Sequence, residues 1–342
     1  MDSVKLKDVL DNNSNQLYGK AVCAVFAYGK PDFCHNINCE KNSVFDLASV
    51  SKILTGTMIL MLIDKGKLSL DQTLDTVFDA SLPGSLSKER FKTITVESLL
   101  THSSGLPAWF PFYTQKGSFW NVLEIALNKY PGQEGTVYSD LGFMLLGEIL
   151  CTVTGRTLQE NLDELNEVLG TSFTYNPRNK DTCVETERGN RIEEGMCAER
   201  ELSFDGFRTH DRNIRGEVND GNSFYFWKGA AGHAGVFGIA EDLLALGKLH
   251  LYKGVVQGKQ FISPHLIEQS VQDYGSNRGL MWGLGETFIN GFGHTGFTGT
   301  SLYVCPEKNF VAVILTNRLV IIPAPDLRQF RIDAHKIIYD SI

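Results

Sequence analysis

Polar and apolar residues change rhythm several times along this chain, and each rhythm predicts an element. Val4 to Leu17 repeats its apolar positions with a helical period, which predicts a short amphipathic helix. Ala21–Tyr28 is continuously apolar and β-prone, Gly29-Lys30-Pro31-Asp32 signals a turn, and a second strand follows through Phe33–Cys39. Two strands joined so tightly predict an antiparallel hairpin. Ser43-Val44-Phe45 is strand-like, and the apolar run Ile53 to Ile63 predicts a long helix. Helices are further expected at Val96–Leu100, Val122–Leu127 and Leu141–Val153, the last closed by Gly155. The stretch from Tyr175 to Asn222 is polar and weakly periodic, and reads as long loops near a substrate. Helices return at Ala240–Leu251 and Ser263–Ser270. A second hairpin, Thr298–Val304 and Phe310–Thr316 around Cys305-Pro306-Glu307-Lys308-Asn309, precedes a final helix at about Asp326–Tyr339. Strands at both ends with helices between them predict an α+β fold, its antiparallel sheet built from both chain ends. The expected organisation is a single domain over 1–342. A sheet-bearing part would span about 1–60 and 228–342, and a mainly helical insertion about 61–227.

Composition narrows the function. A net charge of -8, with no Lys/Arg-rich tract, argues against nucleic acid or an anionic membrane as partner. Met1-Asp2-Ser3-Val4-Lys5-Leu6-Lys7-Asp8 carries charge where a signal peptide needs an apolar stretch, so a cytoplasmic location is expected. The seven cysteines are odd in number and scattered, which predicts reduced thiols and no disulfide framework. Cys34-His35 and Cys39 find no second zinc-like pair, so no metal is expected.

Candidate chemistry begins at Ala48-Ser49-Val50-Ser51-Lys52, which opens into the apolar helix. Residues three apart on a helix share a face, so the lysine amine comes up to the serine hydroxyl. An alcohol needs a neighbouring base to become a nucleophile, and a helix N-terminus favours the developing anion. The same pattern recurs at Ser85-Leu86-Ser87-Lys88, where a polar stretch after Pro83-Gly84 reads as a solvated loop. Tyr138-Ser139-Asp140 precedes an apolar helix. A tyrosine there can relay the serine proton beside a cation, or simply pack its ring and bond its hydroxyl. Gly293-His294-Thr295-Gly296 leads into the expected Thr298–Val304 strand, where the glycine permits close approach of substrate backbone. The next amide, Phe297 N–H, is a candidate oxyanion donor together with Ser49 N–H. Gly232-His233-Ala234-Gly235 is a second copy without a long strand, read as a loop bordering the site. There is no Gly-x-Ser-x-Gly elbow, no His-Glu-x-x-His and no phosphate-binding glycine loop, so neither a metal nor a nucleotide cofactor is expected.

Taken in order, Ser49-x-x-Lys52, Tyr138-x-Asp140 and His294-Thr295-Gly296 resemble the serine β-lactamase and penicillin-binding-protein superfamily. Phe45 to Lys52, Leu99 to Pro107, Tyr138 to Phe143, Gly232 to Gly235 and Gly293 to Thr300 place the chain nearest its class C-like branch. That branch also holds family VIII carboxylesterases and D-amino-acid amidases and peptidases. The resemblance implies a β-lactamase/transpeptidase-like fold and an acyl-enzyme on Ser49. Lys52 and Tyr138 would share the proton, Ser49 and Phe297 amides would form the oxyanion hole, and Asp140, His294, Thr295 and Gly296 would contact substrate. Two residues depart from the common pattern. His294 stands where lysine is usual, and a histidine of ordinary pKa near ~6.5 is mostly neutral at pH 7. Asp140 stands where asparagine is common, and an ionised carboxylate only accepts hydrogen bonds. A carboxylate near Lys52 would keep it charged and shift the base role toward Tyr138. Three functions follow. The first is a serine hydrolase of small esters or amides, the second a β-lactamase or D,D-carboxypeptidase, and the third a non-catalytic relative serving as a binding or assembly module. The expected partner is a small-molecule substrate. The oligomeric state is open.

Overall fold

The protein is described by a computed structural model covering residues 2–78, 88–130 and 132–342. Its main sheet has five antiparallel strands in the spatial order Phe33–Ile37, Ala21–Ala27, Phe310–Thr316, Ser301–Cys305 and Phe292–Thr295. The N-terminal strand pairs with Phe310–Thr316 from Ala21 opposite Thr316 to Ala27 opposite Phe310. Both chain ends therefore build the centre of the sheet.

Both central strands are apolar at nearly every position because both faces of the sheet are covered. Cys23, Val25, Ala312 and Ile314 pack with Leu6, Leu10, Phe330 and Ile338 of the terminal helices Ser3–Asn13 and Arg328–Ser341. The alternate residues Val22, Ala24, Val311, Val313 and Leu315 join the other core with Leu243 and Leu246 of helix Ala240–Leu251. That helix lies close to the sheet at Gly247, where a Cβ would stand 2.4 Å from a Val311 methyl.

The helical part packs around Ser51–Asp64. Every residue from Ser51 to Leu62 is buried, so this helix shows no amphipathic stripe. Asp140–Thr154 and Leu158–Leu169 pack against it. The second of these was not foreseen, although Thr157 and Glu160 form a capping box at its start. The long polar region holds a helix of its own, Arg191–Ala198, and its Glu187, Asn190 and Asn219 side chains are buried. It is largely irregular, as expected, and Glu193, Met196, Asn219 and Asp220 from it line the cavity described below.

The Thr298–Val304 strand requires a correction. His294 and Thr295 lie on their own edge strand, Phe292–Thr295, and pairing with Ser301–Cys305 is made across a turn at residues 296–300. Gly299 has φ +118°, a conformation outside a strand, and Gly296 N–H donates to Thr300 O at 2.7 Å to close the turn. Ser85, the second copy of the serine–lysine pattern, lies outside the described residues. All seven cysteines are free thiols. Among the described residues no single helix is long and apolar enough to cross a membrane.

Two core histidines are held neutral. His335 Nδ1 donates to Thr287 O at 2.9 Å, and burial lowers its pKa to about 4. Thr57 Oγ1 spends its proton on Ile53 O, so it accepts from His250 Nε2 at 3.0 Å, and burial lowers the pKa of His250 to about 3. A histidine neutral when folded and protonated when unfolded costs stability as pH falls below ~6.5. His102 and His294 at the site below act in the same direction, because burial lowers both. Asp46 and Glu193, raised by burial to about 6 and about 8, oppose them, as do Glu148, Glu187 and Asp242, which burial raises by less. The four histidines prevail, because each takes up its proton within this interval in the unfolded chain. The thermal midpoint is therefore expected to fall steadily from pH 7 to pH 5, and to fall less steeply in His335→Gln. A flat or rising midpoint over that interval would refute the assignment of these histidines as neutral.

Candidate active site

The serine is delivered by a tightly held turn. Strand Phe45–Asp46 pairs with Val236–Gly238, and Leu47 N–H donates to Val236 O at 3.0 Å. The buried Asp46 carboxylate then accepts from the amides of Ala48 at 2.9 Å and Asn219 at 2.7 Å. These bonds hold Ala48 at φ +48°, a left-handed conformation costly for a residue with a Cβ. The chain leaves this corner as a 3₁₀ turn, Ala48–Val50, that runs directly into helix Ser51–Asp64. Ser49 stands on the corner and Lys52 in the first helical turn.

Lys52 is fully buried and its ammonium is saturated. Its Nζ lies 3.0 Å from Ser49 Oγ, 3.1 Å from the carbonyl oxygen of His233 and 2.7 Å from Asp140 Oδ1. Burial pulls the lysine toward the neutral amine, but Asp140, with Tyr138, outweighs it and holds the pKa above the ordinary value. Lys52 is therefore a cation at neutral pH, as the Asp140 substitution implied. Tyr138 lies with its ring centroid 4.9 Å from Lys52 Nζ and 5.3 Å from the guanidinium carbon of Arg278. Its segment is fixed by Ser139, which caps helix Asp140–Thr154, donates through its hydroxyl to Pro107 O at 2.7 Å and donates its amide to His102 Nδ1 at 3.0 Å. His102 packs against Tyr138 with the rings tilted by 37°, their centroids 4.5 Å apart.

The third segment is pinned to the serine corner. Thr298 Oγ1 donates to Asp46 O at 2.8 Å, and Thr300 Oγ1 donates to Leu47 O at 2.9 Å. Gly296 is packed so closely that a Cβ would stand 2.6 Å from Leu47 O and 2.0 Å from Thr300 Oγ1. The glycine is therefore required by the protein's own backbone, not only by access for a substrate. His294 is buried. Its Nδ1 donates to Thr295 O at 2.8 Å, leaving Nε2 as a lone-pair acceptor without a partner. Burial, then Lys52 and Arg278, lower its pKa to about 3. His294 therefore brings no positive charge here.

These parts meet at one cavity of about 700 Å³, lined by Ser49, Tyr138, Asp140, His294, Thr295, Gly296 and Phe297. All the predicted site residues are brought together, except that Lys52 is sealed beneath the floor. Neither the Ser49 nor the Phe297 amide donates to a backbone carbonyl among the described residues. Arg278, Asp220 and Glu193 are among the lining residues missed by sequence reasoning. Arg278 enters from the polar loop after helix Pro264–Ser270, and no carboxylate among the described residues pairs with its side chain. Asp220 and Glu193 form an acidic wall. Asp220 Oδ1 meets His233 Nε2 at 2.9 Å and is held down to about 2. No local pattern marks any of the three, since each reaches the site through distant contacts. His233 borders the site as expected, but it meets Lys52 through its carbonyl, not its ring. Ligating atoms of Asp140, Asp220 and His233 lie within 4.8 Å of one another, but the Lys52 ammonium already stands against Asp140 and opposes a second cation there.

Removing the carboxylate from Asp140 leaves a buried ammonium unpaired. Asp140→Ala is expected to lower the unfolding free energy by about 3 kcal/mol at pH 7, and Lys52→Met in that background to restore much of the loss. Urea unfolding of both single variants and the double variant measures this. Additive losses would show that the two groups do not interact.

The sequence matches the Beta-lactamase family over residues 18–335. The N-acetylmuramyl-L-alanine amidase of Bacillus subtilis (strain 168) is 32% identical over 317 residues, spanning 82% of this chain and 69% of that protein. The class C beta lactamase of Rhodobacter sphaeroides superposes with a TM-score of 0.71 at 17% identity, covering 99% of each chain. The octameric penicillin-binding protein homologue from Pyrococcus abyssi gives 0.71 at 18% identity, covering 99% of this chain and 78% of that one. The chain belongs to the Beta-lactamase family, as a hydrolase of the serine β-lactamase and penicillin-binding-protein fold.

Proposed function

We propose that this protein is a serine acyl hydrolase, with Ser49 as nucleophile, acting on small amides or esters whose far end carries a carboxylate. The observation that carries the reading is the placement of Ser49 Oγ 3.0 Å from a buried ammonium, in a cavity where two amides without backbone acceptors stand. Ser49 Oγ attacks the substrate carbonyl carbon while its proton passes to the Tyr138 oxygen, and the proton that oxygen already held is handed on to the leaving atom of the substrate. Lys52, held cationic by Asp140, keeps the serine oxygen oriented and offsets negative charge on Tyr138 during transfer. The carbonyl oxygen, now an oxyanion, is met by the Ser49 and Phe297 amides. Now protonated, the leaving group departs and an acyl-enzyme remains; water then adds in the same way, giving one proton to Tyr138 while Tyr138 gives its own back to Ser49 Oγ.

Arg278 supports the carboxylate. The neutral His294 removes the charge that the commoner lysine would bring, and the guanidinium of Arg278, beside Tyr138 and unpaired with any described acid, restores it a short distance away. A planar guanidinium suits a carboxylate in a bidentate pair. This revives the second reading, hydrolysis of a peptide or lactam bearing a free carboxylate. The amidase named among the relatives favours amides as the bond cleaved.

Intact mass separates the readings. Wild type and Ser49→Ala are incubated with a short-chain p-nitrophenyl ester, a fluorophosphonate and a penicillin. Labelling is expected at Ser49, with turnover lost by about a thousandfold or more in Ser49→Ala. No adduct from any probe would leave the binding-module reading in its place. Arg278→Met is expected to raise KM about tenfold or more for an acyl-peptide ending in a free carboxylate, and to leave the uncharged ester unaffected. Equal loss on both substrates would remove Arg278 from substrate recognition.

A further inference from the structure

We propose that Arg331, on the C-terminal helix, is a positioning residue that aims and polarises the Phe297 amide toward the cavity; this rests on the hydrolase reading above. The argument begins with one peptide unit. Gly296 C=O and Phe297 N–H are its two ends, and a trans peptide is planar, so the two groups point in opposite directions. Whatever fixes the carbonyl fixes the amide. Arg331 Nη2 donates to Gly296 O at 2.8 Å and to Thr300 O at 3.2 Å. It thereby ties together the two residues that open and close the turn at 296–300.

The same bond acts on charge. A cation at the carbonyl oxygen draws electron density along the conjugated unit and leaves the N–H at its other end a stronger donor. An oxyanion developing at that N–H gains from the added dipole, whereas the uncharged ground-state carbonyl gains less. The neighbouring peptide is held in parallel. Arg318 Nε donates to Phe297 O at 2.6 Å, and its guanidinium lies 4.7 Å from the Phe297 ring centroid, so the amide is fixed from both sides.

Arg331 is a costly residue to keep for packing alone. It is half-buried, its Nε is buried without a hydrogen-bond partner, and no carboxylate forms an ion pair with it among the described residues. Burial lowers its pKa to about 10, which still leaves it charged at pH 7. An apolar side chain would fill this place without the desolvation cost. What it supplies is a full charge on one carbonyl of the active-site turn.

Because Arg331 also lines the cavity, it could instead bind a substrate anion, and kinetics on an uncharged substrate distinguish the two. With a p-nitrophenyl ester, Arg331→Met is expected to lower kcat about tenfold with KM held within about twofold, and Arg331→Lys to recover part of the loss. Carbonyl-13C glycine with 15N phenylalanine isolates the four Gly-Phe peptides, 142–143, 206–207, 291–292 and 296–297. The Phe297 amide resonance is expected to move in Arg331→Met while the other three stay. An unchanged kcat, a loss confined to KM, or an unmoved Phe297 resonance would each overturn the proposal. The resonance reports the peptide whether or not Ser49 reacts. A wild type unlabelled at Ser49 with a Phe297 resonance that moves would therefore sink the hydrolase reading and, with it, the catalytic purpose of the clamp, while leaving the clamp itself observed.

Discussion

The buried ammonium of Lys52 is the point on which the site is assembled. A charge taken fully out of water must be repaid by partners in good geometry. Its three partners come from three places in the chain: Ser49 from the corner before the central helix, Asp140 from the start of the Asp140–Thr154 helix, and the carbonyl of His233 from the loop before strand Val236–Gly238. Moving any of these elements by an ångström would leave a charge unsatisfied in the core. One ion thus sets the relative position of the candidate nucleophile, the tyrosine segment and the loop behind them.

A second constraint joins this assembly to the sheet, and it is steric. The turn at 296–300 touches the serine corner with backbone against backbone. Two threonine hydroxyls bond the carbonyls of Asp46 and Leu47, and Gly296 leaves no room for a Cβ. The Phe297 amide is therefore set at a fixed distance from Ser49 by contacts that involve neither group directly. Polar saturation orders one wall of the cavity, and close approach orders the other.

This division explains what could be read in the sequence. Ser49 and Lys52 were legible because three-residue spacing on a helix is a local geometric fact. The sheet was legible because Ala21–Ala27 and Phe310–Thr316 are apolar throughout, which marks a strand covered on both faces. The hairpin register around His294 was not, since the β-prone Thr298 and Thr300 ahead of Leu302–Val304 hide a turn made by Gly296 and Gly299. Arg278, Asp220 and Arg331 were invisible for a different reason. Each lies in a segment with no motif, and its meaning comes from a contact with residues 138, 233 or 296 that only the folded chain creates. The polar stretch from Tyr175 to Asn222 was legible as loops near the substrate, but not as a packed segment with its own helix: its polar side chains are buried because they bond one another and the serine corner, as Asn219 does with Asp46.

The distribution of charge is the last step. A lysine in the third motif would place a second ammonium close to Lys52, and the two would repel in a poorly solvated space. Here that position holds a neutral imidazole whose only free atom is an acceptor. The positive charge sits instead on Arg278, against the outer face of Tyr138, while Asp140 neutralises the charge beneath it. Tyr138 is thus flanked by two cations, one compensated by a carboxylate and one open to the cavity. The compensated charge suits a fixed role beside Ser49, where nothing should dissociate during a reaction. The open charge suits an exchangeable partner. With histidine in place of lysine, the positive charge that the proposed carboxylate-bearing substrate would meet lies on a loop outside the three motifs.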